Sequence, residues 1–140
     1  MTAFEPARPR YVLPFAGKDY ELFGTMEVIE AIEFSMKESV LDVCFRVIDM
    51  GVTDTARVIA AILSASGHKD HSPRSVSQAL MDMGVAGQAF TVLRAHISCF
   101  LQIILQPPEL REETAKRMGE VMGKFDARTA SPGENTSSSA

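Results

Sequence analysis

His68-Lys69-Asp70-His71 is where ligand-type side chains crowd together most closely in this sequence. Two imidazoles and a carboxylate have the donor chemistry for a divalent metal, but a structural site wants four ligands and a catalytic one three. No cysteine lies nearby and no third strong ligand is evident, so the run reads as a polar loop. No metal and no cofactor are expected. Cys44 and Cys99 sit inside apolar helical patterns and read as small buried hydrophobes of a reducing compartment. His96 lies on an apolar helix, where packing suits it better than base catalysis. The sequence contains no HExxH, CxxC, GxSxG or GxxxxGK[ST] motif. Glu27, Glu30 and Glu33 are spaced for solvent rather than for a shared proton. No catalytic residue is expected, and the chain reads as non-enzymatic.

The elements that carry these residues follow from periodicity. Arg10–Ala16 and Asp19–Phe23 alternate Tyr11, Leu13, Phe15 and Tyr20, Leu22 around Gly17-Lys18, which predicts a β-hairpin over about residues 10–23. Pro14 makes the first run an edge strand. Five to six helices should follow. Thr25 caps the first. The second runs from Glu38 to Met50 with Val40, Val43, Cys44 and Val47 as its stripe, broadened by Leu41 and Ile48. Asp42 and Arg46 are spaced to pair along it, and Gly51 stands where a left-handed residue would end it. Thr53 or Asp54 caps the third, which ends at Gly67. Its alanines (Ala56, Ala60, Ala61, Ala65) permit close helix approach. Ser72 and Pro73 open a short fourth helix that stops at Gly84. The fifth, about 86–106, repeats Phe90, Leu93, Ile97, Phe100 and Ile104 at alternating three- and four-residue steps, as a central core helix or an oligomer seam would. Pro107-Pro108 breaks it, and Glu109–Lys124 forms a sixth. The expected fold is therefore mainly α: a small N-terminal hairpin and a compact bundle. A loose segment 1–9 precedes a single domain over 10–125, and a disordered polar tail covers 126–140.

Composition narrows the function. The 140 residues are 46% apolar and 23% charged, with net charge −4. That charge argues against broad phosphate-backbone binding, so no nucleic acid is expected as a partner. A helix-turn-helix reading of the third and fourth helices, with Arg74, Ser75, Ser77 and Gln78 on the recognition helix, meets two obstacles. The connection is longer than the usual three or four residues, and Arg74 is the helix's only base. Nine carboxylates from Asp19 to Asp54 face only Lys37 and Arg46, an acidic stretch that is either a solvated face or one side of a head-to-tail contact. The start of the chain lacks a signal-peptide pattern, and Ala95–Gln106 is too short to span a bilayer, so a cytoplasmic protein without membrane contact is expected. Eight methionines, most of them on or beside helices, suit either core filling or an adaptable apolar surface.

The order of these features resembles a known group. FAGKDYELFGTMEVIEAIE, then Ser39-Val40, then DTARVIAAILSASG, a capped short helix and a long final segment resemble the small tail proteins of gene transfer agents and related long-tailed prophages. The likeness runs from about Phe15 to Val121 and includes the Ile32-Glu33 pair of a threonine-led helix. That family is described both as a tail tube component and as a tail assembly chaperone. The resemblance implies a non-enzymatic part in building a phage-type tail, with a tape-measure protein or other tail proteins as partners and a homo-oligomer as the working form. Such a protein would be cytoplasmic during assembly, with a place in the tail particle as the other outcome. A chaperone of this kind would hold the apolar helical stripes of the tape-measure chain. The side chains expected to make that contact are Phe90, Leu93, Ile97, Phe100, Met118 and Met122. Tail tubes are built from β-rich subunits, so a helical bundle favours the chaperone and a β-barrel or sandwich would favour the tube.

Overall fold

The structure, a computed structural model, describes residues 9–130. Its first elements are β1 (Arg10–Phe15) and β2 (Lys18–Phe23), paired antiparallel with Tyr11 opposite Leu22 and Leu13 opposite Tyr20. Ala16 and Gly17 both have positive φ, +53° and +81°. Two consecutive left-handed residues make the type I′ turn whose twist matches the flanking strands. The turn is thus Ala16-Gly17, one residue earlier than the sequence pattern places it, and Lys18 opens β2 opposite Phe15. The two-residue turn sets the ladder so that Arg10, Val12 and Pro14 point their backbone groups away from β2. Pro14 therefore costs no ladder bond.

The helices are α1 (Met26–Met36), α2 (Val40–Arg46), α3 (Val52–Ala65), α4 (Pro73–Met83), α5 (Gln88–Ile104) and α6 (Pro108–Ala130). The Thr25 hydroxyl accepts from Val28 N–H as the cap of α1, and Lys37, at φ +55°, ends it. The expected helix from Glu38 to Met50 is shorter. Ser39 caps α2, which tightens into a 3₁₀ turn at Val47–Asp49 and stops at an extended Met50. Gly51 is consequently not left-handed. Its φ is −76°, and it stands at the head of α3, which begins before Thr53 and Asp54 and has no side-chain cap. Arg46 passes over Asp42 and bridges the carboxylates of Glu38 and Asp54 instead. Gly67 and Gly84, at φ +98° and +90°, do follow α3 and α4 as expected. Ser72 and Ser75 form a reciprocal capping box with Pro73 at the first turn of α4. Helix α5 is a little shorter than its pattern. Arg111 caps its C-terminal end by donating to the carbonyls of Ile104 and Gln106. Pro108 opens α6, which runs on to Ala130, past Lys124 and into the stretch expected to be loose. The expectations for residues 1–8 and 131–140 lie outside the described residues.

Two apolar clusters hold these pieces. The main core takes Leu13, Phe15 and Leu22 from the hairpin, Val28 and Ile32 from α1, Val40 and Val43 from α2, and the inner faces of α3, α4 and α5. Ala56 and Ala60 are buried on α3, whose most extensive contacts are with α1 and α4. Helix α5 is the central one, touched by β1, α2, the 3₁₀ turn, α4 and α6. On its other side Val92, Ala95 and Cys99 meet Met122, with Tyr11 and Met118 packed against them. The hairpin is fastened to the helices by polar contacts as well. Ser66 Oγ accepts from Phe23 N–H at 3.2 Å, and His68 Nε2 donates to Glu21 O at 2.8 Å. A two-stranded ribbon is marginal alone; these bonds occupy the outer edge of β2, and the buried face does the rest.

Candidate partner-binding surface

The apolar row that the sequence offers to a partner lies inside the fold. Phe90, Leu93, Ile97 and Phe100 are each at most 4% exposed and belong to the main core. Met122 is as buried, and Met118 packs half-buried against its cluster. The reason is geometric: α5 is surrounded by other elements, so its three-four row is the seam they close on. A partner could reach Phe90, Leu93, Ile97, Phe100 and Met122 only by unfolding the domain, so five of the six expected contacts are core and Met118 lies at the edge of it.

The most exposed apolar side chains are elsewhere, on α1 and α2. Phe34 and Phe45 are each 82% exposed, and Leu41 and Ile48 are exposed as well. Leu41, Phe45 and Ile48 follow i, i+4, i+7 spacing and form an outer row along α2 and the 3₁₀ turn. Opposite them stand Ser98, Gln102, Leu105 and Gln106 at the C-terminal half of α5, with Cys44 between. Together they bound a groove of about 450 Å³. The sequence carried a signal for it: α2 has two apolar rows, and a helix on the surface of a bundle buries one.

Among the described residues no charged side chain lines the groove, and the charge cluster of α2 is arranged around Arg46. Its Nε donates to Glu38 Oε1 at 3.0 Å, a second bond reaches Glu38 Oε2, and Nη1 lies 3.4 Å from Asp54 Oδ2. The paired hydrogen bonds hold the Glu38 carboxyl below its usual range and raise the guanidinium's pKa further. Burial pushes the Cys44 thiol up, and pushes Cys99 up to about 11. Exposed Asp42 and Asp49 have no cationic partner among the described residues.

Other candidate sites resolve differently. The Tyr20 ring meets His68 and His71 edge-on, each at 5.2 Å between centroids, so the histidines of the loop are packing partners for β2. Among the described residues no group of three or more His, Cys, Asp or Glu could hold a metal ion. His96 is buried, with Nδ1 2.8 Å from the Tyr11 hydroxyl. Arg57 and Arg74 face a cleft of about 370 Å³ between α3 and α4, but the connection from Ser66 to Ser72 keeps these helices out of helix-turn-helix spacing. Of the methionines on helices, Met26 and Met81 are exposed while Met122 is core. No helix among the described residues is long and apolar enough to cross a membrane. No protein-family model matches the chain, and no curated protein or solved structure is detectably similar to it.

Proposed function

We propose that this protein is a non-enzymatic tail assembly chaperone of a phage-like or gene-transfer-agent particle, acting on a tape-measure protein. The observation that carries the proposal is the open groove of α2 and α5, with Phe45 at 82% exposure on its rim. A tape-measure chain presents repeated apolar helical stripes that aggregate unless covered. A groove between two helices can cover such stripes with little demand on sequence. The mainly helical fold supports a chaperone over a tube subunit, and the resemblance of Phe15–Val121 to small tail proteins supports the setting. The chaperone works in the cytoplasm while the tail is built.

Co-expression with a tape-measure protein encoded in the same genome tests this. The partner is expected to move from the insoluble to the soluble fraction and to co-purify. A partner equally insoluble with and without this protein overturns the proposal.

A structural place in the tail is the second reading, and one observation favours it. The outward N–H and C=O groups of Arg10 and Val12 on β1 have no partner among the described residues. Such an edge can join the sheet of another copy, and would make the homo-oligomer that the resemblance implies. Sedimentation of the purified protein separates the readings: rings or tubes without a client favour the structural role.

A further inference from the structure

We propose that the groove between α2 and α5 takes an amphipathic helix whose apolar stripe is flanked by lysines and arginines. This rests on the reading that the protein works by holding another chain, and it names that chain's chemistry. The shape comes first. Leu41, Phe45 and Ile48 span seven residues, a rise of roughly 10 Å or two helical turns. An occupant must present two or three apolar side chains over that length, which is the i, i+3/i+4, i+7 pattern of a helix laid in a groove. An extended peptide finds nothing to pair with there. Both walls are helical, and their backbone amides are spent inside α2 and α5.

Charge then selects among helices. Asp42 and Asp49 are exposed on α2 and the 3₁₀ turn, next in sequence to Leu41 and Ile48 of the groove, and neither has a cationic partner among the described residues. Arg46, the one cation on α2, is held by the two carboxylates of Glu38 and Asp54. A basic helix meets attraction here and an acidic one repulsion, within a Debye length of about 10 Å at 0.1 M salt. No surface helix among the described residues offers such a stripe. The described face of α6 mixes Glu112, Glu113 and Glu120 with Lys116 and Arg117, and α4 offers Arg74 against Asp82. The occupant is therefore a different chain.

The test uses two synthetic peptides of about 18 residues, long enough to form a helix on binding. They share one Leu/Phe stripe, with Lys and Arg flanks in one and Glu flanks in the other. Each is titrated into the full chain by calorimetry at low and high salt, and iodoacetamide labelling of Cys44 and Cys99 is followed in parallel. The basic peptide is expected to bind at least tenfold more tightly at low salt, with the advantage shrinking as salt rises. It should slow labelling of Cys44, which lines the groove, and leave buried Cys99 unchanged. Phe45→Glu should abolish binding while the circular dichroism stays native. Ile48→Lys is the second variant should the first misfold. Equal binding of both peptides, or binding that survives Phe45→Glu and leaves Cys44 as reactive as before, overturns the proposal. So does a peptide-free dimer that Phe45→Glu dissociates, since the groove would then belong to a second copy. If the basic peptide binds and co-expression fails to solubilise the tail partner, the tail reading falls and the groove stands. If co-expression succeeds equally with Phe45→Glu, the groove proposal falls alone.

Discussion

Phe45 and Phe100 should respond in opposite ways to truncation. Phe100 is 1% exposed in the main core, whereas Phe45 is 82% exposed. Burying a phenylalanine fully is worth roughly 1.5–3 kcal/mol. The fifth or so of Phe45 that is covered is then worth about 0.3–0.6 kcal/mol. Alanine recovers up to ~0.5 kcal/mol through its better helix propensity. Phe45→Ala should therefore be close to neutral. Phe100→Ala removes a packed ring and leaves a cavity, a loss of about 3–5 kcal/mol. A domain of this size shifts its Tm by roughly 3–5 °C per kcal/mol. Urea and thermal unfolding of the two variants should thus differ by ten degrees or more. A loss above about 1.5 kcal/mol for Phe45→Ala would refute the reasoning, because the ring would then be buried in the stable form of the protein. Its place on an open groove would be gone with it.

Three further outcomes follow from single features. Ala16 occupies a left-handed position in the type I′ turn, so Ala16→Asn should raise stability by about 0.5–1 kcal/mol in urea titrations. A Cβ at Gly24 would stand 2.5 Å from Ile104 Cγ2 and 2.7 Å from Pro9 Cγ. Gly24→Ala should cost about 1–3 kcal/mol in urea titrations, because Ile104 and Pro9 must both give way to the new methyl. Glu38 is held below its usual carboxylate range by Arg46. Its stabilising contribution is fully present above the unfolded pKa and is lost as pH falls through the lower folded value. Glu38→Gln should flatten that part of the acid unfolding profile and leave neutral-pH spectra unchanged.

How much of this was legible in the sequence depends on how local each signal is. Ser72-Pro73 set the start of α4 because cap and proline chemistry act within one turn. The alternation of Tyr11, Leu13 and Phe15 identified the buried face of β1 because period two is unambiguous over a short strand. Gly51 was misread because a glycine after an apolar run looks like a helix end; only the 3₁₀ tightening at Val47–Asp49 shows why no left-handed residue was needed. Arg46 was misassigned because i, i+4 spacing to Asp42 is visible in sequence, whereas the approach of Asp54 depends on how α3 returns beside α2. The contact residues were missed for a related reason. Periodicity reports which side chains share a face but carries no information on which face another element covers. The 3-4 row of α5 was the strongest in the chain, and the fold took it for itself.

That exchange explains why the open surface sits on α2. A helix of seven residues gains little from its own hydrogen bonds and depends on packing. Val40, Val43 and Val47 supply that packing, and the Arg46 bridge to Glu38 and Asp54 ties its end to α3. Leu41 and Ile48 are only half covered by the domain and Phe45 hardly at all, since the side of α2 that meets the core is taken by the valines. An outer row of this kind is an aggregation hazard for an isolated chain, and the exposed carboxylates of Asp42 and Asp49 beside it oppose contact between copies through this face. The same carboxylates do not oppose a helix that brings its own cations. In the proposed docking, the exposed row and the carboxylates beside it act together as a filter for the sign of the incoming helix.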